Sequence, residues 1–278
     1  MSNGNLVVAG VVDAGCSHSA VLQKPGSTTP ATGIGTRFLA IWRAFAVVFF
    51  SLIALAHNAI TIPLVRRDRR LQARAAWLHA WCRFACRVLG IRLTRQGAMP
   101  SSGLLVSNHL SYLDIIVLSS IRPCVFVAKR DVANWPLFGW LAHAAGAIFV
   151  DRKRRFLSDN AVDLIREAIA GGTVVVLFPE GTSSDGSAVL PFKSALLESV
   201  VRLRCPVGSA SVDYGLDNGS VADEVCYWRD MTLVPHLLNL FFKREIRANY
   251  SFSPAQVRSG NRKEIARELH DENASMRA

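Results

Sequence analysis

The sequence predicts an α/β fold: a mostly parallel sheet flanked by helices, preceded by an N-terminal pair of membrane-associated helices. Two observations carry the prediction. From residue 100 onward, short apolar or β-branched runs alternate with helix-like stretches, the pattern of a layered fold with a largely parallel sheet. Before that point lies an apolar run long enough to meet a bilayer, followed at once by a cluster of arginines.

The first 33 residues are rich in Gly, Ser, Thr and Pro and read as a loose tail. Cys16 follows a small-residue stretch, but Asp13 stands where a lipoprotein signal needs an apolar residue, so no secretory signal is expected. Ala44 to Ala56 is apolar except for Ser51, and the run continues to Val65 through more polar residues. Twenty-two residues of helix span about 33 Å, enough to cross or to lie within one leaflet. Arg66, Arg67, Arg69 and Arg70 close it, as expected on a cytoplasmic side. Between 66 and 95 there are nine Arg and one Asp. There Leu71, Ala75, Leu78, Cys82, Ala85 and Leu89 recur at helical spacing, with Trp77 and Trp81 beside the stripe. That pattern suits an interfacial helix or an ordinary core helix with a basic outer face, and its place after the apolar run favours the former.

Pro100 to Gly103 form a turn that opens the main domain. Strands are expected at 104–106, 125–128, 147–150, 173–178, 206–212 and 244–252. Helices are expected near 111–121, 157–170 and 194–203, and from 261 onward. The domains predicted are a flexible tail at 1–36, a membrane-associated helical segment at 37–95, the α/β domain at 96–255 and a C-terminal surface helix or tail at 256–278. Net charge is +11 over 278 residues, and mean hydropathy is +0.24. Such a chain seeks an anionic partner, and the adjoining apolar run points to a membrane surface rather than nucleic acid. Six scattered cysteines show no metal-like spacing and suit a reducing compartment.

The chemistry centres on His109 and Asp114. An imidazole beside a carboxylate is the simplest general base available near neutral pH. Five residues apart on one helix they would point about 140° from each other. They meet only if His109 lies in the turn before a helix and Asp114 in its first turn. The pair alone fits a capped helix as well as a catalytic dyad. Two further clusters sit where strands should end: Asp151 and Arg152 with 153–155, and Phe-Pro-Glu-Gly-Thr at 178–182, followed by Lys193. In open α/β sheets ligands bind at the carboxyl ends of strands, so His109, Arg152 and Glu180 should converge.

With these residues in view, the chain resembles the glycerolipid acyltransferase superfamily over roughly residues 37–255. The resemblance rests on the His-x4-Asp block at 108–114, Gly-x-x-Phe-Val-Asp-Arg at 146–152 and Phe-Pro-Glu-Gly-Thr at 178–182, in that order. It implies that His109 is the catalytic base, Asp114 its orienting partner, and Arg152, Glu180, Gly181, Thr182 and Lys193 the acceptor site. It implies an acyl donor, acyl carrier protein or coenzyme A thioester, as co-substrate without a further cofactor or metal. The acceptor is a lysolipid, 1-acyl-sn-glycerol-3-phosphate first, at the cytoplasmic face of the inner membrane. One departure stands out: Ser183 occupies a position where the family usually has an Arg on the acceptor phosphate, and Ser cannot replace bidentate phosphate contacts. A lyso-ornithine lipid or another lysophospholipid is therefore an alternative acceptor. Backbone amides at the start of the 110–121 helix are the expected oxyanion donors. A metal hydrolase lacks a third ligand near His109, a serine hydrolase lacks Gly-x-Ser-x-Gly, and no phosphate-binding loop of the Gly-x4-Gly-Lys kind is present. A non-catalytic basic membrane-binding protein would explain the charge but not three motifs at strand ends.

Overall fold

The computed structural model describes residues 33–135, 138–150 and 158–277. Helix α1 (Ile34–Thr61) leads through a short 3-10 turn into α2 (Arg70–Leu89). Seven strands follow: β1 (Ile91–Gln96), β2 (Gly103–Ser107), β3 (Cys124–Lys129), β4 (Ile148–Val150), β5 (Val174–Leu177), β6 (Val207–Gly215) and β7 (Ile246–Phe252). They form one sheet in the order β1-β7-β6-β2-β5-β3-β4. Neighbours run parallel throughout except β6 and β7, which are antiparallel. Strands β2 and β5 are buried at every position and consist of Gly, Leu, Val and one Ser, as strands covered on both faces must be. Gly103 opens β2 at φ 98°, where a Cβ would sit 2.6 Å from the Pro206 carbonyl oxygen.

Helices α3 (Leu113–Ile121), α4 (Phe138–Ala144), α5 (Asp159–Ala170), α6 (Glu198–Leu203), α7 (Val221–Glu224), α8 (Leu233–Phe242) and α9 (Arg262–Ser275) complete the chain. Helix α5 begins on Ser158, whose hydroxyl accepts from the Ala161 amide, and ends at Gly171 and Gly172, the latter at φ 74°. Helix α9 begins with a reciprocal capping box between Asn261 and Glu264. Its buried residues Ile265, Ala266 and Leu269 join one apolar layer of the core. Helix α8, apolar along its length, has no counterpart among the expected elements.

Two expectations about the first hundred residues change. The apolar stripe of α2 faces protein, not lipid: Ala75 and Cys82 are fully buried, and Leu78, Cys82, Ala85 and Leu89 join the core around α3 and the sheet. Trp77 donates its indole N–H to the Ala54 carbonyl of α1 at 2.9 Å. A core helix and an interfacial helix share the same periodicity, so the sequence alone leaves the covering partner open. In addition, 91–96 is a sheet strand, not part of the helical segment. Of the N-terminal pair, α1 alone keeps a wide apolar face exposed, with Phe38 71 %, Ile41 70 % and Phe45 64 % accessible.

Helix α1 is fastened to the rest by a buried arginine. The Arg43 guanidinium donates to the carbonyls of Phe241, Lys243 and Arg244, which are the unsatisfied acceptors at the end of α8. Arg43→Met should strand these oxygens and cost about 2–3 kcal/mol. The expected readout is a melting temperature about 5–10 °C lower in detergent; an unchanged midpoint would mean that α1 does not depend on this anchor.

Candidate active site

Parallel pairing of β2 with β5 brings the segments that leave them, 108–112 and 178–184, side by side at one sheet edge. Asn108 fixes the first of these. Its buried amide donates to the Val212 carbonyl at 3.0 Å and accepts from the Val212 amide at 2.8 Å, clamping the turn to β6. His109 follows, and its Nδ1 lies 2.7 Å from Asp114 Oδ2. The strand–turn–helix arrangement read from the spacing therefore holds.

Asp114 is fully buried, and no Lys or Arg contacts it among the described residues. Its charge is instead met by donors. Oδ2 accepts from the amides of Leu110 (2.7 Å) and Ser111 (3.1 Å) as well as from His109, and Oδ1 accepts from the Tyr214 hydroxyl at 2.6 Å. A carboxylate that only accepts assigns the proton to His109 Nδ1 and leaves a lone pair on Nε2. The imidazole stacks on Phe178 at 4.1 Å between centroids, and its side chain is 19 % accessible, so Nε2 can be reached from outside. Burial and the neighbouring Asp114 charge push the Tyr214 phenol well above its usual range, keeping it a donor.

Sequence reasoning misses Tyr214, and it reads Asn108 as a candidate helix cap where the structure makes it a clamp on Val212. Tyr214 lies 100 residues from Asp114 along the chain, and nothing local to it signals a polar role. Two of the backbone amides expected to serve the oxyanion are already occupied. The Leu110 and Ser111 amides point at Asp114 and are committed to it.

Glu180 is almost fully buried, and its carboxylate frames a loop instead of facing a cavity. Oε2 accepts from the His109 amide at 3.2 Å and Oε1 from the Leu190 amide at 3.0 Å. It thereby ties both ends of loop 181–190 to the turn that carries His109. Gly181, at φ 74°, starts that loop, and a Cβ there would sit 2.7 Å from Lys193 Nζ. Lys193 thus lies against Gly181 with its side chain exposed. Ser184 N–H donates to the His109 carbonyl at 3.0 Å, Tyr227 N–H to the Leu110 carbonyl at 2.8 Å, and Ser183 Oγ to the Tyr227 carbonyl. Arg152 lies outside the described residues.

Beside His109 opens a cavity of about 290 Å³. Gly181, Thr182 and Ser183 line it near the histidine, and Leu78, Ile116, Phe126 and Leu141 are among its apolar walls. Tyr112, also in the wall, contacts His236 Nδ1 at 3.0 Å, while His236 Nε2 donates to the Cys226 carbonyl at 3.0 Å. A base at the edge of an apolar cavity suits transfer of a group with a long hydrocarbon tail.

Residues 90–213 match the Acyltransferase family. The chain is 34 % identical over 238 residues to a lyso-ornithine lipid O-acyltransferase of Rhizobium meliloti (strain 1021), covering 80 % of each protein. This chain belongs to the glycerolipid acyltransferase superfamily. It is an O-acyltransferase. A 1-acyl-sn-glycerol-3-phosphate acyltransferase of Neisseria gonorrhoeae is 31 % identical over 155 residues, 52 % of this chain and 61 % of that protein. The crystal structure of the acyltransferase PlsC from Thermotoga maritima shares the fold, with a TM-score of 0.59 at 17 % identity, over 87 % of this chain and 96 % of that one.

Burial pushes the Glu180 carboxyl of this acyltransferase from its ordinary 4.5 up to about 7, against the pull of the Leu190 and His109 amides. An acid whose pKa rises on folding holds an extra proton in the folded state between the two values. Stability should therefore fall as pH rises from about 4.5 to about 7 and level off above. Melting temperature against pH for the wild type and Glu180→Gln checks this: the variant should show a shallower fall across that window. Parallel curves would assign the proton elsewhere.

Proposed function

We propose that this acyltransferase moves a fatty acyl group from an acyl carrier protein or coenzyme A thioester to a lysolipid hydroxyl at a membrane surface. The observation that carries the reading is the buried, donor-saturated Asp114 holding His109 Nδ1, with Nε2 open beside an apolar cavity. His109 Nε2 takes the proton of the acceptor hydroxyl as its oxygen attacks the thioester carbonyl carbon. The tetrahedral intermediate collapses, the carbon–sulfur bond breaks, and the leaving thiolate recovers a proton from the imidazolium. Asp114 stabilises that imidazolium and fixes the tautomer, as in a serine-protease triad with substrate in place of serine. The cavity walls take the acyl chain, and Thr182, Lys193 and Arg152 serve the acceptor side.

Both acceptor readings have support. Lysophosphatidate is the substrate named for the Neisseria relative, and lyso-ornithine lipid that of the Rhizobium relative. Ser183, whose hydroxyl is bound to the Tyr227 carbonyl, favours the second.

For the membrane, the support is α1 and its continuation to Leu64, 31 residues whose most apolar 18-residue stretch has mean hydropathy 2.3, and of which Phe38, Ile41, Phe45 and Leu52 remain exposed. We place this face in the lipid, with the following arginines on the cytoplasmic side of the inner membrane.

His109→Ala should lower the turnover number about 10²–10⁴-fold with an unchanged melting curve; near wild-type turnover would remove His109 from the base role. Ile41→Glu with Phe45→Glu should move the protein from the vesicle pellet to the supernatant in sedimentation with anionic vesicles. Full retention in the pellet would place the lipid contact elsewhere.

A further inference from the structure

Loop 182–190 borders His109 yet contains no Lys or Arg, and its one charge is Asp185. A phosphomonoester carries about −1.5 to −2 charges at neutral pH. A carboxylate at this place repels such a headgroup and attracts a cationic one.

The loop is held firmly. Glu180 closes both of its ends, and Ser184 N–H donates to the His109 carbonyl. Asp185 Oδ1 accepts from the Ser187 amide at 3.0 Å and hydroxyl at 2.8 Å. These two bonds, together with the nearby Arg229 charge, hold its carboxyl below the usual carboxylate range, so it is ionised at any working pH.

A second loop, 226–229, is laced to the first. Cys226 Sγ donates to the Asp185 carbonyl at 3.4 Å and Ser183 Oγ to the Tyr227 carbonyl, while Tyr227 N–H reaches Leu110 beside the histidine. This loop ends at Arg229, an exposed residue at φ 53°. Such a backbone conformation is uncommon for a residue other than glycine. Its guanidinium carbon lies 3.9 Å from the centroid of the Trp228 ring, which is itself fixed by its indole N–H on the Ala222 carbonyl at 2.9 Å. Arg229 and Asp185 are near enough to influence each other but form no ion pair together. Ser183 and Tyr227, each two residues before one of these charges, line the cavity beside His109.

We infer that Asp185 and Arg229 form a headgroup-reading site for a zwitterionic lysolipid, Asp185 taking the ammonium and Arg229 the carboxylate of an amino-acid headgroup. The inference rests on the lysolipid reading above and narrows it. Lyso-ornithine lipid has this chemistry: acylation of the α-amine leaves one side-chain ammonium and one carboxylate. Ser183 fits the same picture, because a zwitterion needs no bidentate phosphate clamp.

The test measures acyl transfer to three acceptors in mixed micelles: lyso-ornithine lipid, the same lipid with its free amine acetylated, and lysophosphatidate. The wild type should favour the free amine over the acetylated lipid about tenfold in kcat/KM, through KM, as expected for one charge-assisted contact. Asp185→Asn keeps an oxygen for Ser187 and should reduce that preference to within about twofold. Arg229→Gln should raise KM for the free and the acetylated lipid alike, because both retain the carboxylate. An Asp185→Asn enzyme that still discriminates tenfold overturns the headgroup assignment and leaves lysolipid acylation standing. So does a wild type that prefers lysophosphatidate. Transfer to none of the three lipids overturns the lysolipid reading and the inference with it.

Discussion

A buried carboxylate without a cationic partner is expensive unless hydrogen-bond donors surround it, and the active-site half of this molecule is organised around meeting that demand. Asp114 receives four donors: two backbone amides of the turn before α3, the His109 imidazole and the Tyr214 phenol. Each is a constraint on structure as much as a bond. The amides dictate the path of the turn, which presents His109 at its start and Asp114 in the first turn of the helix. Tyr214 requires β6 to lie directly beside β2, as the sheet order provides. Asn108 reinforces the same pairing by clamping the turn to Val212. The His109 imidazole is thus pre-aligned, as the general-base role proposed for it requires.

A second buried carboxylate extends this scaffold to the substrate side. Glu180 grips the His109 amide with one oxygen and the Leu190 amide with the other, so loop 181–190 is built on the same turn as His109. The family's Phe-Pro-Glu-Gly-Thr block therefore acts here in two ways. Its Glu holds the frame, while Gly181 and Thr182 line the cavity beside Lys193. This division leaves the loop's outer residues free to vary with the headgroup. Ser183 and Asp185 occupy that outer part.

Local pattern made much of this legible. The strand, turn and helix around 103–121 followed from an apolar run, a polar break and an apolar run, and the five-residue spacing could be satisfied in one way only. The alternation of strands and helices gave the parallel sheet. Less visible was anything decided by partners distant in sequence. Tyr214 and Asn108 act across 100 and 104 residues. Glu180 reads as a ligand contact until the two amides that occupy it are seen. The α2 stripe carries the same periodicity whether lipid or protein covers it, and only the packing of α3 decides. Strand β1 at 91–96 is hard to read because four of its six residues, Arg92, Thr94, Arg95 and Gln96, are polar or charged and exposed on an edge strand.

The central claim is that Asp114 holds His109 as a neutral imidazole with its proton on Nδ1 and its lone pair on Nε2. Selective ¹⁵N labelling of histidine, with His109→Gln to assign the resonance, measures this directly by NMR in detergent micelles at mildly alkaline pH. The account predicts a protonated Nδ1 and an unprotonated Nε2 for His109, and loss of that strict preference in Asp114→Asn. A His109 that carries its proton on Nε2 in the wild type would contradict it.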